Sequence, residues 1–167
     1  MPLLSAFTAA LLAPIAGLAA PTGDITAVPQ FQQLQARENL CHLSSPPQLC
    51  TPDPTVTVEE TARRAYEFYR AFVVDGDPRT MFSYIDNVYE QHNPFYPSGP
   101  QAIWPLFCSG RSLGSEQNTK WCFDASTNMS YAQYSTVDRW RWVDGCVHEH
   151  WDQGETIPWD NCYQLEV

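Results

Sequence analysis

The sequence predicts an α+β domain in which helices come first and an antiparallel sheet follows. A capping motif at residues 57–60 opens a segment whose apolar residues recur at steps of three and four. Residues 136–152 instead alternate in residue type on both sides of Asp144-Gly145. The first pattern is typical of an amphipathic helix, and the second of two strands joined by a tight turn. Helices first and strands afterwards make an α+β architecture.

The first 19 residues are expected to be a secretory signal peptide. They carry no charged side chain and end in small residues, which is typical of an export leader. The segment is short and contains Pro14, and both features argue against a stable membrane-spanning helix. Cleavage after Ala19 fits the small residues that precede the cut. We therefore expect a secreted, extracellular protein, with no membrane partner once residues 1–19 are removed.

Length and composition allow one domain with a single core. The chain has 167 residues, of which 44% are hydrophobic and 13% aromatic. We assign residues 20–56, which are rich in Pro and Gln, to an N-terminal extension, residues 57–158 to the domain, and residues 159–167 to a tail. The net charge is −10 and no basic run exceeds Arg63-Arg64, so nucleic acid is not an expected partner.

Six cysteines lie beyond the leader, and an even number in an exported chain predicts disulfide bonds rather than a metal cluster. We expect nearest neighbours to pair, because each such pair closes a short segment that contains turn residues. The expected pairs are Cys41–Cys50, Cys108–Cys122 and Cys146–Cys162. Asn128 begins the single N-glycosylation sequon, which predicts a glycoprotein if the chain passes through a eukaryotic secretory route.

The helical part of the chain carries clear start and stop signals. Thr57 and Glu60 form the capping box of the first helix, whose apolar stripe runs about four turns to Asp75-Gly76-Asp77. Pro78 suits the first position of a short second helix. A third helix is expected at residues 101–108, shortened or kinked by the proline inside it.

The predicted strands occupy the remainder. They are residues 84–94, residues 120–125 and one long strand at residues 131–143, which leads into the hairpin. With a two-residue turn, Val143 faces Cys146, Trp142 faces Val147, Trp140 faces Glu149 and Asp138 faces Trp151.

This register sorts the hairpin into two faces. One face is aromatic with two embedded acids, and it collects Asp138, Trp140, Trp142, Val147, Glu149 and Trp151. The other is charged and suited to water, and it collects Arg139, Arg141, His148, His150 and Asp152. We expect the aromatic face to line a pocket. The histidines and the acid of the other face are interpreted as solvated surface rather than as a metal site.

Two motifs resemble the signatures of a known family. Tyr89-Glu90-Gln91-His92-Asn93-Pro94, followed by Ser98-Gly99-Pro100, is similar to Y-x-Q-H-N-P-x-x-x-x-G, and residues 137–152 are similar to V-D-x-F-R-x-x-x-G-x-x-x-E-H-W-D. These are signatures of SnoaL-like proteins, the polyketide-cyclase-like branch of the nuclear transport factor 2 (NTF2)-like superfamily. The resemblance covers about residues 57–158.

The resemblance implies a cone of about three helices packed on a curved antiparallel sheet, with a pocket open at one end. The chain before the hairpin has room for about one strand fewer than the family pattern, which allows a shortened sheet. In the family, an acid on the penultimate strand performs aldol ring closure without metal or cofactor. Asp138 matches that acid, and His92 matches the histidine of the first motif. The expected ligand-binding residues are Tyr89, Trp140, Trp142, Glu149 and Trp151.

Two functions follow, and the residues leave open whether the chain is an enzyme. In the first, the protein binds a small apolar carbonyl compound and converts it by cofactor-free acid–base chemistry of the aldol or isomerisation type. Desolvation among tryptophans would suit Asp138 to proton transfer. In the second, it is a non-catalytic secreted binding or structural protein whose pocket is filled by its own side chains, and Asp138 pairs with an Arg or a Tyr to fix the sheet. A homodimer is compatible with both.

Overall fold

A computed structural model describes residues 38–165, so the expected signal peptide and most of the extension lie outside the described residues. The helices are α1 (Val58–Tyr69), α2 (Pro78–Ser83) and α3 (Pro100–Phe107). The strands are β1 (Ile85–Gln91), β2 (Lys120–Asp124), β3 (Met129–Gln133), β4 (Val137–Val143) and β5 (Cys146–Trp151). They form one sheet in the order β1-β5-β4-β3-β2, which is not closed into a barrel. The α+β class is thereby confirmed.

The sheet is mixed rather than wholly antiparallel as predicted, because β1 runs parallel to β5. All other neighbouring strands are antiparallel. A parallel pair needs a long connection between its strands, and here the chain between β1 and β5 contains α3 and the other three strands. None of the described helices is long and apolar enough to cross a membrane.

The start and stop signals of the first two helices are confirmed, except that the Glu60 carboxylate pairs with Arg64 instead of completing the capping box. The Thr57 hydroxyl accepts a hydrogen bond from the Glu60 backbone N–H at 3.1 Å and caps α1. After Tyr69 the helix continues as a π-helical segment, Arg70–Asp75, and Gly76 ends it at a φ of 62°. Pro78 begins α2, and the Asp77 carboxylate caps that helix.

The predicted long strand at residues 131–143 is wrong, because the chain turns back within it. β3 and β4 pair with each other, with Gln133 opposite Val137. The Tyr134 backbone N–H donates to the Thr136 carbonyl at 3.0 Å and closes the turn. This turn contains no Gly, Pro, Asn or Asp, and its Ser135 and Thr136 favour turns only weakly. The sheet therefore has one more strand than the sequence predicted.

All six cysteines form disulfides as predicted, but all three predicted pairings are wrong. The bonds are Cys41–Cys108, Cys50–Cys146 and Cys122–Cys162. They join the end of the N-terminal extension to the end of α3 and to the hairpin, and the tail to β2. Each pair therefore links segments that the fold brings together, rather than closing a local loop.

The hairpin follows the predicted register only beside its turn. Asp144 and Gly145 have φ angles of 47° and 75°, as a type I′ turn requires. Val143 pairs with Cys146 and Trp142 with Val147, as predicted. Beyond a bulge the pairs are Arg141 with Glu149, Trp140 with His150 and Arg139 with Trp151.

His148 is the extra residue of this β-bulge. Because successive side chains point to opposite faces, one extra residue exchanges the two faces for the remainder of β5. The predicted faces are therefore wrong beyond the bulge. His150 is buried on the inner face, where the sequence placed Glu149, and Glu149 is paired with outward-facing Arg141.

A buried carboxylate lies at the bulge. Asp86 of β1 is 1% exposed, accepts a hydrogen bond from the Val88 backbone N–H at 3.0 Å and lies 2.6 Å from His148 Nδ1. The pairing of β1 with β5 also shifts register here, between Ile85 and Glu90. Asp86 therefore accepts hydrogen bonds from donors on both β1 and β5, at the points where the pairing of these strands is irregular.

We predict that Asp86→Asn lowers the free energy of unfolding by about 1–3 kcal/mol, because a charge-assisted hydrogen bond to His148 becomes a neutral one in a buried place. Urea unfolding followed by circular dichroism measures the change. Asp160→Asn removes an exposed carboxylate from the short 3₁₀ helix Trp159–Asn161 and should alter stability by no more than about 0.5 kcal/mol. Equal stability of the two variants would show that the Asp86 contact does not hold the bulge.

We also predict that replacing Cys50 and Cys146 together by Ser destabilises the protein by about 2–5 kcal/mol, since their bond joins residues 96 apart and restricts the unfolded chain. Peptide mapping without reduction checks the three pairings directly. Recovery of a Cys41–Cys50 peptide would contradict the pairing described here.

Candidate functional site

A cavity of about 340 Å³ lies between the helices and the inner face of the sheet. Most of its wall is apolar, formed by Phe68, Phe72, Met81, Ile85, Ile103, Leu106, Phe107, Leu113 and Trp140. Its polar lining residues are Tyr89, Gln91, Tyr96, Arg111, Tyr134, Asp138, His150 and Asp152. An apolar cavity with a few polar groups is the usual form of a small-molecule site.

Asp138 is the most deeply buried acid of the cavity, with 2% of its surface exposed. It points inward from the middle of the sheet, because β4 alternates buried and half-buried residues. The Tyr134 hydroxyl donates to its Oδ2 at 2.8 Å. Its Oδ1 has no hydrogen-bond partner among residues 38–165. One oxygen is thus held by the protein, and the other is buried without a partner in a residue that lines the cavity.

The protonation of His150 is set by Gln91. The Asn93 backbone N–H donates to Gln91 Oε1 at 3.0 Å, which turns the Gln91 amide nitrogen toward His150 Nδ1 at 2.9 Å. Because an amide nitrogen only donates, Nδ1 must accept. The imidazole is therefore neutral and carries its proton on Nε2.

His150 Nε2 faces the carboxylate of Asp138 but is not properly hydrogen-bonded to it. The distance from Nε2 to Asp138 Oδ2 is 3.3 Å. The N–H bond is not directed at this oxygen, however, so Nε2 has no hydrogen-bond partner within the described chain. The ring is 7% exposed and stacks on Trp140 with 5.1 Å between ring centres. His150 thus holds an oriented, buried and unused donor in a residue that lines the cavity.

Asp152 supplies a second carboxylate to the same place. The side-chain amide of Asn93 donates to its Oδ2 at 2.9 Å, whereas its Oδ1 has no partner in residues 38–165. One ligand atom each of Asp138, His150 and Asp152 lie within 4.8 Å of one another. We call these three residues the polar cluster.

The spacing of the polar cluster would suit a metal ion, but the hydrogen bonding of its histidine does not. A metal ligand must present a lone pair, and Gln91 places the proton of His150 on Nε2, the nitrogen that faces the carboxylates. Metal binding there would require the Gln91 contact to break. A second group with metal-like spacing, Glu90, His92 and Glu149, has Glu149 already paired with Arg141. The expectation of no metal and no cofactor stays a prediction.

Burial and the negative charge of the cavity raise the pKa values of two tyrosines. Burial raises the pKa of Tyr89, and the charges of Asp138 and Asp152 raise it further. Burial raises the pKa of Tyr134 too, assisted by the charge of Asp138 and the hydrogen bond to it. Both hydroxyls therefore keep their protons at physiological pH, and Tyr134 remains a donor to Asp138.

The structure brings only some of the predicted site residues to the cavity. Asp138, Trp140 and Tyr89 line it. Trp142 is buried in the core, where its indole N–H donates to Ser130. The exposed Asn128 lies in the turn between β2 and β3, and its glycosylation stays a prediction.

The other predicted site residues meet outside the cavity. His92 Nε2 lies 2.7 Å from Glu149 Oε2, and its ring stacks on Trp151 with 4.3 Å between ring centres. None of these three lines the cavity. Arg139 lies over the Trp151 ring. The expected ligand contacts of Glu149 and Trp151 followed from the hairpin register, which the bulge overturns.

Sequence reasoning missed Gln91, Tyr134, His150 and Asp152. Gln91 lies inside the first motif, where the resemblance points to the adjacent His92. Tyr134 lies in the turn that interrupts the predicted long strand. The regular hairpin register places His150 and Asp152 on the outer face, and no local signal reveals the bulge that turns them inward.

The Glu149 cluster predicts a pH dependence of stability. Burial raises the pKa of Glu149, but hydrogen bonds from His92 and Arg141 and the charge of Arg141 outweigh burial, so the pKa lies below its usual value of 4.5. A lowered pKa stabilises the fold above the unfolded-state value, and this contribution is lost as the pH falls through the folded-state value. The stability difference between wild type and Glu149→Gln should therefore be largest near neutral pH and shrink below about pH 4.

Urea unfolding across an acid pH series measures this difference, and Glu59→Gln, an exposed glutamate of α1, is the control. A difference that stays constant down to acid pH would contradict the lowered pKa of Glu149.

Comparison with known proteins suggests no function for this site. No family model, curated protein or solved structure matches the chain. The resemblance of the two motifs to SnoaL-like proteins therefore stays a prediction. A function for the cavity must be argued from its own residues.

Proposed function

We propose that this chain is a secreted, SnoaL-like pocket protein that binds a small, largely apolar carbonyl compound and moves protons on it without a cofactor. The observation that carries this proposal is Asp138: its carboxylate is 2% exposed, its Oδ1 has no hydrogen-bond partner in residues 38–165, and the residue lines an otherwise mainly apolar cavity of about 340 Å³. A desolvated carboxylate in contact with substrate is a typical general acid–base group.

Each member of the site has a role in such a reaction. Asp138 Oδ1 takes a proton from the carbon beside the carbonyl group, while Tyr134 holds Oδ2 in place. His150 donates its Nε2 proton as a hydrogen bond to the carbonyl oxygen and stabilises the enolate that forms. Where a carbon–carbon double bond is conjugated with the enolate, return of the proton to the far carbon of that bond gives isomerisation. Attack of the enolate on a second carbonyl of the same molecule gives aldol ring closure, after which Asp138 returns its proton to the new alkoxide.

This assignment gives His150 the role that the sequence motif gave to His92. His92 is bonded to Glu149 and stacked on Trp151, and it does not line the cavity. His150 is buried, neutral and directed at the same space as Asp138. The catalytic role of His92 stays a prediction without a contact to support it.

The alternative of a pocket filled by its own side chains has less support. Phe68 and Phe72 pack against Trp140, but a cavity of about 340 Å³ remains in front of Asp138. Three disulfides agree with an extracellular location, which is part of the proposal. A binding protein without turnover is the remaining alternative, and the experiment below separates it from an enzyme.

We predict that the wild-type protein accelerates deuterium uptake from D₂O at the carbon beside the carbonyl of 3-methyl-1-phenylbutan-1-one, an apolar aryl ketone. Asp138→Asn should reduce the acceleration by about 10²–10⁴-fold, because the amide cannot accept the proton. Proton NMR measures the exchange, and circular dichroism confirms that the variant is folded.

Asp124→Asn is the matched control, since Asp124 is also buried, at 4% exposure, but lies at the end of β2 outside the cavity. Equal exchange by wild type and Asp138→Asn would refute the acid–base role. Binding of the ketone by wild type without any exchange would establish the non-catalytic alternative.

A further inference from the structure

The polar cluster carries negative charge that the described protein does not neutralise. Asp138 and Asp152 approach to within 4.8 Å, and neither forms an ion pair with a Lys or Arg of residues 38–165. His150 does not compensate, because Gln91 holds it neutral. Arg111 also lines the cavity, but it is exposed and pairs with neither aspartate. A cationic ligand would remove this imbalance.

Three buried atoms of the polar cluster, whose residues line the cavity, lack hydrogen-bond partners within residues 38–165 and define what the cation must look like. Asp138 Oδ1 and Asp152 Oδ1 lack donors, and His150 Nε2 lacks an acceptor, within the described chain. Asp138 and His150 are each more than nine-tenths buried, so water at the surface does not satisfy these atoms. A complementary ligand brings a positive donor and a carbonyl oxygen to the same small space.

The walls favour an organic cation over a metal ion. Aromatic rings attract alkylammonium groups through their negative faces, and Tyr89 and Tyr134 line the same cavity as the two carboxylates. A metal ion would instead require the lone pair of His150 Nε2, which the proton occupies.

We infer that the substrate is an apolar amino ketone, with a protonated amine on the carbon beside its carbonyl group, and that Asp152 holds the ammonium. The carbonyl part of this inference rests on the proposed function. With bond lengths of roughly 1.2–1.5 Å, the nitrogen, the carbon that loses its proton and the carbonyl oxygen of such a compound lie within about 3 Å of one another. That span matches the polar cluster.

The ammonium also assists the chemistry. Its positive charge stabilises the enolate that forms when the neighbouring carbon gives its proton to Asp138. His150 meanwhile holds the enolate oxygen, and Asp138 returns the proton when the carbonyl re-forms. No oxidant, reductant or metal enters this proton transfer.

Two probes of nearly equal shape test the inference. 2-(Dimethylamino)-1-phenylethanone carries a tertiary amine where 3-methyl-1-phenylbutan-1-one carries a carbon branch, so charge is the main difference. At about pH 6 the amine is protonated. Calorimetric titration of the intact protein gives the affinity for each probe, and NMR gives deuterium uptake beside each carbonyl.

Wild type should bind the amino ketone at least about tenfold more tightly than the neutral ketone. Asp152→Asn should abolish this preference by weakening the binding of the amino ketone far more than that of the neutral ketone, because Asp152 binds the ammonium. Asp124→Asn removes the same charge outside the cavity and should keep the preference.

Other outcomes separate this inference from the proposed function. Equal affinities in wild type, or a preference that survives Asp152→Asn, would overturn the amino-ketone assignment even if the neutral ketone exchanges its proton. Tight, Asp152-dependent binding of the amine with no exchange on either probe would leave the amine site standing and remove the acid–base function. One equivalent of Zn²⁺ bound through Asp152, with no preference for the amine, would replace the inferred ligand by a metal.

Discussion

The contact between Asp86 and His148 marks the bulge that determines which residues of β5 face the interior. It lies at the bulge in which one extra residue of β5 meets an irregular stretch of β1. Without the extra residue, strand alternation would direct Glu149 and Trp151 inward and leave His150 outside. The buried Asp86 carboxylate accepts donors from both strands, which lowers the cost of the interrupted ladder. The composition of the cavity therefore depends on a pair of residues that do not line it.

The elements that the sequence predicted well are those with local causes. The cap at Thr57, the stop at Gly76 and the turn at Asp144-Gly145 each depend on the conformational preferences of a few adjacent residues. The inward position of Asp138 also followed, since β4 is regular along its length. Local chemistry thus sufficed for the helices, the hairpin turn and one acid of the site.

The features that the sequence failed to predict depend on contacts between distant segments. The disulfides join residues 67, 96 and 40 positions apart, whereas a reading of spacing favours short loops. The turn at Tyr134 has no special residue, and the bulge depends on a partner 62 positions away. His150 and Asp152 entered the site only through that bulge. A register error of one residue places Glu149 and Trp151 on the inner face, where His150 and Asp152 lie in the structure.

The unpaired buried groups of the site destabilise the protein when no ligand is bound, and this destabilisation is relevant to its function. Each buried polar atom without a partner costs about 1–3 kcal/mol, and Asp138 and His150 each leave one inside the cavity. A regular hairpin with an apolar inner face would avoid both this cost and the interrupted ladder. Each side chain of the polar cluster has one hydrogen-bond partner and one unpaired atom. The partners are Tyr134 for Asp138, Gln91 for His150 and Asn93 for Asp152, and these hydrogen bonds fix the orientation of the three side chains. Groups that are oriented but incompletely satisfied gain most from a ligand that supplies the missing partners, since the protein has already met the cost of their burial and alignment.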